Sequence, residues 1–269
     1  MFRVYMLLFL LLHPSYLFSF SLPGRQGMFV TGADISKGGD YLAVVGYGDG
    51  SCSGTGDGMV IYKREIIKPD SILVECGLYY RSSAEAIAIY SENPLRVVIT
   101  AEGYDRSFLC DVDYDNRDVS CKMFSTPDFS SGRMAEVSGI DFDSRGRMYS
   151  IADNGQYIFR YKSRCAERGL CKRDKEIRLP RYYNQMEGLS IDRCYYDPSA
   201  ECIYAADIGT GGGNEVLVYN LKTKKFTYKR FQKRKNTDSE ALATIFDTTG
   251  LNIFVIHKDN EGTVERRKY

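Results

Sequence analysis

The chain has 269 residues, with 36 lysines and arginines, 35 acidic residues and a formal net charge of +1. This balance excludes the long-range attraction for polyanions that a strongly basic chain has, so we expect no nucleic-acid partner. The length is sufficient for one large all-β domain or for two small domains.

Residues 1–21 have the features of a secretory signal peptide. Arg3 gives a basic start, 6–12 form an uninterrupted apolar run, and Ser19 and Ser21 offer small residues for cleavage. The apolar run is far shorter than the roughly 20 residues that span a bilayer, although an uncleaved membrane anchor is the alternative interpretation. We therefore expect a secreted protein with a single domain, 22–269, and no membrane span after the leader is removed.

A repeated pattern runs through the rest of the chain. Five short segments that alternate apolar with small or polar residues begin at positions 32, 85, 138, 187 and 240, so they are 53, 53, 49 and 53 residues apart. Such alternation predicts a β-strand, and strand-like runs follow each segment in the same order. Four strands in every ~50 residues is the pattern of a β-propeller.

The sequence therefore predicts an all-β propeller of about five four-stranded blades. Six blades are an alternative, since a degenerate blade could lie within 69–85 or 163–183, and a β-sandwich is another that leaves the repeat period unexplained. The fifth repeat holds only three strands before Tyr269. We expect segment 26–30 to supply its outer strand, so that strands from both ends of the chain close the ring and remove an exposed sheet edge.

The eight cysteines form an even number, as expected for disulfides in an exported protein. Three consecutive pairs each flank a short polar turn, and antiparallel strands would bring their Cα atoms within bridging range. These pairs are Cys110 with Cys121, Cys165 with Cys171, and Cys194 with Cys202. Cys52 and Cys76 remain as the fourth pair. Zinc is the alternative, but the chain has no CxxC and 22–269 contain one histidine, His257.

The C-terminal third of the chain carries the most specific motifs. They are EGLSID from Glu187, IYAADIG with the Gly-rich stretch after it, and DSEALATIFDTTG from Asp238. Residues 187–260 resemble an exported bacterial propeller family, and the repeats in general are similar to phytase-like, strictosidine-synthase-like and calcium-activated-nucleotidase-like propellers. The resemblance implies a propeller fold and specifies activity much less. Two features depart from it: the Gly-rich extension 209–213 and the cysteines.

The first residue of each repeat is predicted to face the rim of the central channel. In this alignment the rim residues are Gly32, Glu85, Ser138, Glu187 and Glu240. Three carboxylates that converge on one axis repel one another unless they are protonated or bind a cation, and calcium takes carboxylate, hydroxyl and carbonyl oxygens. We therefore expect a calcium site formed by Glu85, Ser138, Glu187 and Glu240, as resemblance to the nucleotidase propellers also implies. The alternative is that these residues cap strand ends or bind water. We expect no organic cofactor.

Catalytic residues are harder to find. A Ser-His-Asp arrangement would have to use His257, and no GxSxG motif is present. Acidic residues recur after the second strand of several repeats, where they could surround a metal or simply form turns. These are Glu102, Asp153, Asp207 and Asp259. We therefore expect a binding or interaction module rather than an enzyme, with a calcium-dependent hydrolase of phosphate esters or lactones as the alternative.

Two Gly-rich stretches, 46–58 and 209–213, join the second and third strands of their repeats. Neither is followed by Lys-Ser/Thr or by a helix, so they are hairpin connections rather than phosphate-binding loops. Because loops on a rigid scaffold commonly carry recognition, we expect this loop face to contact a protein or glycan ligand. We expect the propeller itself to be a monomer.

A basic cluster at 222–235 has eight bases among fourteen residues. It falls on a predicted outermost strand, where lysines protect a sheet edge against aggregation. The alternative is a patch that binds an anionic glycan or lipid. That patch would consist of Lys224, Lys225, Lys229, Arg230, Lys233, Arg234 and Lys235.

Overall fold

The structure is a computed structural model that describes residues 18–21, 28–48, 57–63, 73–76, 84–101, 103–130, 132–134, 136–183, 186–207, 215–230, 239–247, 250–257 and 263–268. These residues form twenty β-strands and two short 3-10 turns, Pro127–Ser130 and Gly132–Met134. The strands are arranged as five four-stranded antiparallel sheets. The predicted all-β propeller is confirmed.

Four of the sheets are meanders that run from an innermost to an outermost strand. The first blade contains β2 (Met28–Ile35), β3 (Tyr41–Gly48), β4 (Asp57–Lys63) and β5 (Leu73–Cys76). The second contains β6 (Ala84–Glu92), β7 (Leu95–Ala101), β8 (Arg106–Asp113) and β9 (Asp118–Ser125). The third contains β10 (Val137–Phe142), β11 (Met148–Ala152), β12 (Tyr157–Tyr161) and β13 (Arg173–Arg178), and the fourth contains β14 (Met186–Cys194), β15 (Asp197–Asp207), β16 (Glu215–Asn220) and β17 (Phe226–Arg230).

The fifth blade joins the two ends of the described chain. It contains β18 (Ser239–Asp247), β19 (Gly250–His257) and β20 (Thr263–Lys268), and its outermost strand is β1 (Phe18–Ser21). Ring closure by both ends is therefore confirmed, but the expected strand at 26–30 is wrong. Most of that segment lies in β2, because the alternating pattern of the first repeat begins at Met28. β1 falls inside the leader predicted at 1–21, and the leader boundary stays a prediction.

The five blades pack side by side around a closed ring. The innermost strands are neighbours in the order β2, β6, β10, β14, β18 and back to β2. A strand that packs against a neighbouring sheet on each side has no solvent-facing alternation, and every residue of β10 is buried. Each interface has its own hydrophobic cluster, and at the closing interface Ala243 and Ile245 of the fifth blade pack with Val30 and Val60 of the first.

Every innermost strand contains a register shift close to its start. The shifts lie between Val30 and Gly32, Ala84 and Ala86, Val137 and Gly139, Met186 and Leu189, and Ser239 and Ala241. The bulge residues are therefore Thr31, Glu85, Ser138, Glu187 with Gly188, and Glu240. The predicted alignment is correct in four blades and wrong by one residue in the first, where Thr31 rather than Gly32 is equivalent, because a bulge leaves no mark in the apolar pattern.

Three predicted disulfides are confirmed: Cys110–Cys121, Cys165–Cys171 and Cys194–Cys202. The first and third connect neighbouring strands of one blade, and the second closes the turn between β12 and β13. Cys52 and the side chain of Cys76 lie outside the described residues. The described residues include no helix with the length and apolar character that a membrane span requires.

Candidate functional site

The propeller has two faces, which we name by the path of the innermost strands. These strands begin on the entry face and end on the turn face, where a hairpin leads each of them into the second strand. The bulge residues, and with them the predicted calcium ligands, lie on the entry face. The described strands that flank the Gly-rich stretches, β3 with β4 and β15 with β16, meet the same face at these ends. Residues 49–56 and 208–214 lie outside the described chain, so the predicted loop-face contact stays a prediction.

On the entry face the bulge hydroxyls bind the next blade. Ser138 donates its hydroxyl hydrogen bond to the carbonyl of Met186, and Thr31 donates to the carbonyl of Ala84. Glu85 and Glu187 are half-buried. Within the described residues, no three His, Cys, Asp or Glu side chains are grouped closely enough to hold a metal ion. The side chain of Glu240 is outside the described set, so the calcium site is still a prediction.

The acidic residues after the second strands occupy the same face. Asp153 lies in the turn after β11, where its carbonyl accepts from Gly155 and Met186. Asp207 ends β15 and pairs with Met186 in register. The turn interpretation therefore suits Asp153. Glu102, Asp259 and the side chain of His257 lie outside what the structure describes.

A ring of backbone amides surrounds the channel closer to the turn face. It consists of the N–H groups four residues after each bulge, which belong to Ile35, Ile89, Phe142, Ile191 and Thr244. Asp34 accepts from Ile35 (2.8 Å) and from Ile89 of the next blade (2.7 Å). Asp141 accepts in the same way from Phe142 and Ile191, and the Ser190 hydroxyl accepts from Thr244 (3.2 Å). Three side chains thus satisfy five backbone donors, and their hydrogen bonds cross three of the five blade interfaces.

The two aspartates of this ring carry unusual electrostatics. Burial, together with the charge of Asp141, raises the pKa of Asp34 well above its ordinary range. Burial also raises the pKa of Asp141, against the opposing charge of Lys37. Lys37 comes from the turn after β2 and places its ammonium nitrogen 3.1 Å from Asp141 Oδ2. Burial opposes the charged form of Lys37, but Asp141, Asp34 and Asp192 outweigh it and raise the pKa of this lysine. Sequence analysis missed this cluster.

A cavity of about 630 Å³ opens at the channel mouth on the turn face. We call it the channel-mouth cavity. Its walls come from the first four blades, and its charged lining groups have both signs: Lys37, Arg96, Arg193, Asp143, Glu167, Asp192 and Glu201. Between these groups lie apolar side chains of the inner strands, Ile89, Phe142 and Ile191. Carboxylates of the next blade fix two of the turns, since Glu92 accepts from Gly38 (2.6 Å) and Glu201 accepts from Ser144 (2.8 Å).

A second cavity of about 530 Å³ lies between the third and fourth blades. We call it the basic cleft, because six cations and one acid line it: Arg145, Arg147, Arg160, Lys175, Lys222, Lys224 and Glu201. Its floor is the buried interface of the two blades, including Tyr149, Ile177 and Tyr219. Ser144 and Glu201 line both cavities, and the hydrogen bond between their side chains (2.9 Å) separates them.

The predicted basic patch is divided by the structure. Lys224 reaches the basic cleft, whereas Lys225 is exposed in the same turn and does not line the cleft. Lys229 stacks its ammonium over the Tyr195 ring at 4.0 Å. Arg230 lies 3.7 Å from the buried carboxylate of Glu215, which also binds Arg181. Lys233, Arg234 and Lys235 are outside the described residues. The described part of the patch is therefore not a continuous surface.

Comparison with known proteins identifies the fold alone. No protein-family profile and no curated protein sequence matches the chain. Among solved structures, the major allergen Mala s 1 of Malassezia sympodialis is similar with a TM-score of 0.54 at 10% identity, over 88% of this chain and 78% of that one. A streptogramin B lyase is similar with a TM-score of 0.50 at 13% identity, over 94% and 87% of the two chains. A Lactobacillus plantarum protein gives 0.51 at 12% identity, over 85% and 64%. These neighbours support a β-propeller.

Proposed function

We propose that the protein is a secreted, disulfide-stabilised binding propeller that holds its ligand in the channel-mouth cavity. The observation that carries this proposal is the cavity itself, because turns of four blades converge on about 630 Å³ of space. Small-molecule sites are typically concave spaces of roughly 300–1,000 Å³ with a few fixed polar groups. Secretion is supported by the predicted leader and by the disulfides, which persist in oxidising compartments.

The lining indicates what kind of ligand fits. The wall carries cations (Arg96 and Arg193), anions (Glu167 and Asp192) and the apolar Phe142. Arg96 also pairs with Asp111 at 2.5 Å and with Glu167 at 3.5 Å, so the wall already holds opposite charges side by side. A group of one sign would meet like charges on part of this wall, at a cost that burial increases. A small ligand that carries both signs, such as a short peptide with free termini, meets complementary charges. The hydrogen bonds to Gly38 and Ser144 preorganise the turns, which lowers the entropic cost of binding.

The test is a ligand-observed saturation-transfer NMR screen of zwitterionic di- and tripeptides, neutral oligosaccharides, phosphate esters and lactones. We expect the peptides to give the strongest signals. Ser91→Trp places a large ring in the cavity wall and should abolish them. Ser120→Trp is the matched control, because Ser120 is exposed on the outermost strand of the same blade. Equal losses in both variants, or no saturable signal from any peptide, would reject the proposal. Turnover of the esters would favour the hydrolase alternative.

A calcium ion on the entry face is a separate proposal, supported by the repeated bulge. Glu85, Glu187 and Glu240 occupy the same bulge position in three innermost strands. Bulges re-aim side chains, so a common position gives the described side chains of Glu85 and Glu187 a common direction. Calorimetric titration with calcium chloride should release heat, and millimolar calcium should raise the melting temperature. Both effects should disappear in Glu85→Gln and Glu187→Gln but persist in Glu176→Gln on β13. An unchanged melting temperature and no heat would refute the site.

A further inference from the structure

The basic cleft between the third and fourth blades has a charge arrangement that the proposed function does not use. Its six cations come from two strands, β12 and β13, and from two turns, one after β10 and one after β16. Three of them have acidic partners: Arg147 with Asp143 at 2.5 Å, Arg160 with Asp174 at 2.9 Å, and Lys222 with Asp197 at 3.7 Å. In the described part of the chain, no acid lies within ion-pair distance of Arg145, Lys175 or Lys224.

The charges of the cleft do not cancel. Asp143, Asp174, Asp197 and Glu201 are the four carboxylates on or beside its walls, so six cations against four acids leave a net charge of +2. Both oxygens of Glu201 are engaged by Ser144, at 2.8 and 2.9 Å. This carboxylate is thus held against the wall that separates the two cavities. The excess positive charge lies on the side of Lys175 and Lys224.

Two arginines that line the cleft, Arg147 and Arg160, are each held by a carboxylate. Asp143 is buried, and it accepts from Arg147 Nε (2.6 Å) and from the hydroxyl of Tyr149 (3.2 Å). Asp174 binds Arg160 through both of its oxygens, at 2.9 and 3.1 Å. In each guanidinium these contacts use Nε and one terminal nitrogen. The other terminal nitrogen is free of that carboxylate, and a fixed guanidinium with remaining donors is well suited to an oxyanion.

The pKa of Lys175 is affected by cations of both blades. Burial, followed by the positive charges of Arg160, Lys224 and Arg147, lowers the pKa of Lys175. Arg147 and Arg160 belong to the same blade as Lys175, whereas Lys224 is in the turn after β16 of the fourth blade. Cations gathered at this density repel one another, and an anion bound between them relieves the repulsion.

We propose that the basic cleft is a binding site for a dianionic phosphoryl group carried by a small molecule. A phosphate monoester has a charge of about −1.5 to −2 at neutral pH, which matches the net charge of the cleft. The volume of about 530 Å³ accommodates the phosphoryl group and a small organic part, which would lie on Tyr219 and Leu221. The site is distinct from the channel-mouth cavity, so neither proposal depends on the other.

The test is calorimetric titration at low ionic strength with inorganic phosphate, glucose 6-phosphate and, as a monovalent control, chloride. We expect phosphate and glucose 6-phosphate to bind saturably and chloride not to bind. Lys175→Gln should weaken binding at least tenfold, and Lys175→Gln combined with Lys224→Gln should abolish it. Lys225→Gln is the matched control, because it removes the same charge from the same turn outside the cleft, and it should change the affinity less than twofold. Thermal melting verifies that each variant is folded.

The outcomes separate the sources of the anion. Binding of both phosphates supports a phosphorylated small molecule, whereas a site that takes inorganic phosphate and refuses the sugar phosphate limits the ligand to the free anion. Equal weakening by Lys224→Gln and Lys225→Gln would show a diffuse basic surface and overturn the proposal, as would the absence of saturable binding. A second readout is the pKa of Lys175, followed by NMR of the dimethylated lysine. A dianion bound in the cleft should raise it, and an unchanged pKa in saturating phosphate contradicts the proposed contact.

Discussion

Gly188→Ala tests the close approach of neighbouring blades at the bulge. Gly188 has φ of +85°, and a Cβ atom at this position would lie 2.5 Å from the backbone nitrogen of Leu242 in the next blade. An alanine at positive φ costs about 1–2 kcal/mol, and overpacking adds about 1–3 kcal/mol. We expect Gly188→Ala to lower the free energy of unfolding by about 2–5 kcal/mol. At roughly 2–4 °C for each kcal/mol, the melting temperature falls by about 4–20 °C.

Gly103→Ala is the control for this prediction. Gly103 has φ of +71°, but no atom of the described residues lies within 4 Å of the position that its Cβ would take. Only the backbone term of about 1–2 kcal/mol applies there, so the two variants should differ by about 1–3 kcal/mol. The chain has 21 tyrosines and no tryptophan, so thermal melting followed by tyrosine fluorescence and near-ultraviolet circular dichroism reports on the core. Equal destabilisation by both substitutions would refute the argument from blade packing.

Two further predictions concern the channel and the ring closure. Lys37 is 45% exposed and pairs with a fully buried carboxyl, so Lys37→Met should destabilise the protein by about 1 kcal/mol at neutral pH, after allowance for solvent screening. Lys37 stabilises the charged forms of Asp34 and Asp141, so the loss of stability should vanish as the pH falls through the raised pKa values of these two aspartates. Urea unfolding at a series of pH values measures this. A loss that persists at acid pH, or one that equals the loss caused by Lys172→Met at an exposed position, contradicts the prediction. β1 forms four residue pairs with β20, so a chain that begins at Leu22, as the predicted leader of 1–21 implies, should be less stable by about 2 kcal/mol than one that begins at Phe18. Equal melting temperatures contradict the pairing. If β1 belongs to the mature ring, cleavage falls before Phe18 rather than after Ser21, and N-terminal sequencing of the exported protein distinguishes the two.

The blades can be predicted from the sequence because the strands of each blade are close to one another along the chain. The strands of a meander follow one another along the chain, so the repeat spacing and the paired cysteines identify them without any knowledge of the ring. The bulge of the first blade is different, because one extra residue does not alter the alternation that aligned Gly32 with Glu85. The apolar pattern therefore places Gly32 at the bulge, although the bulge residue is Thr31, whose hydroxyl binds the carbonyl of Ala84.

The amide ring was predictable in part. The position three residues after each bulge carries Asp34, Ala88, Asp141, Ser190 and Ala243. Asp34, Asp141 and Ser190 are polar residues at positions where the alternation predicts a buried side chain, and this indicates buried hydrogen-bond acceptors. Donors of the next blade cannot be recognised from the spacing. The basic cleft was not predictable in this way. Arg147 comes from the turn before β11, Arg160 from β12 and Lys175 from β13, and only the ring packing places Lys224 opposite them.

One of the three disulfides, Cys194–Cys202, lies next to the wall between the two cavities. Cys194–Cys202 connects β14 to β15 directly beside Glu201, and Glu201 pairs with Arg193 in register. Tyr204 supports the same hairpin by donating to the carbonyl of Arg193 at 2.7 Å. These contacts fix the strand that places Glu201 against Ser144 of the preceding blade. A covalent bond within one blade thus reinforces the strand pair that carries the wall between the channel-mouth cavity and the basic cleft, so the two cavities with different charge are kept separate on the turn face.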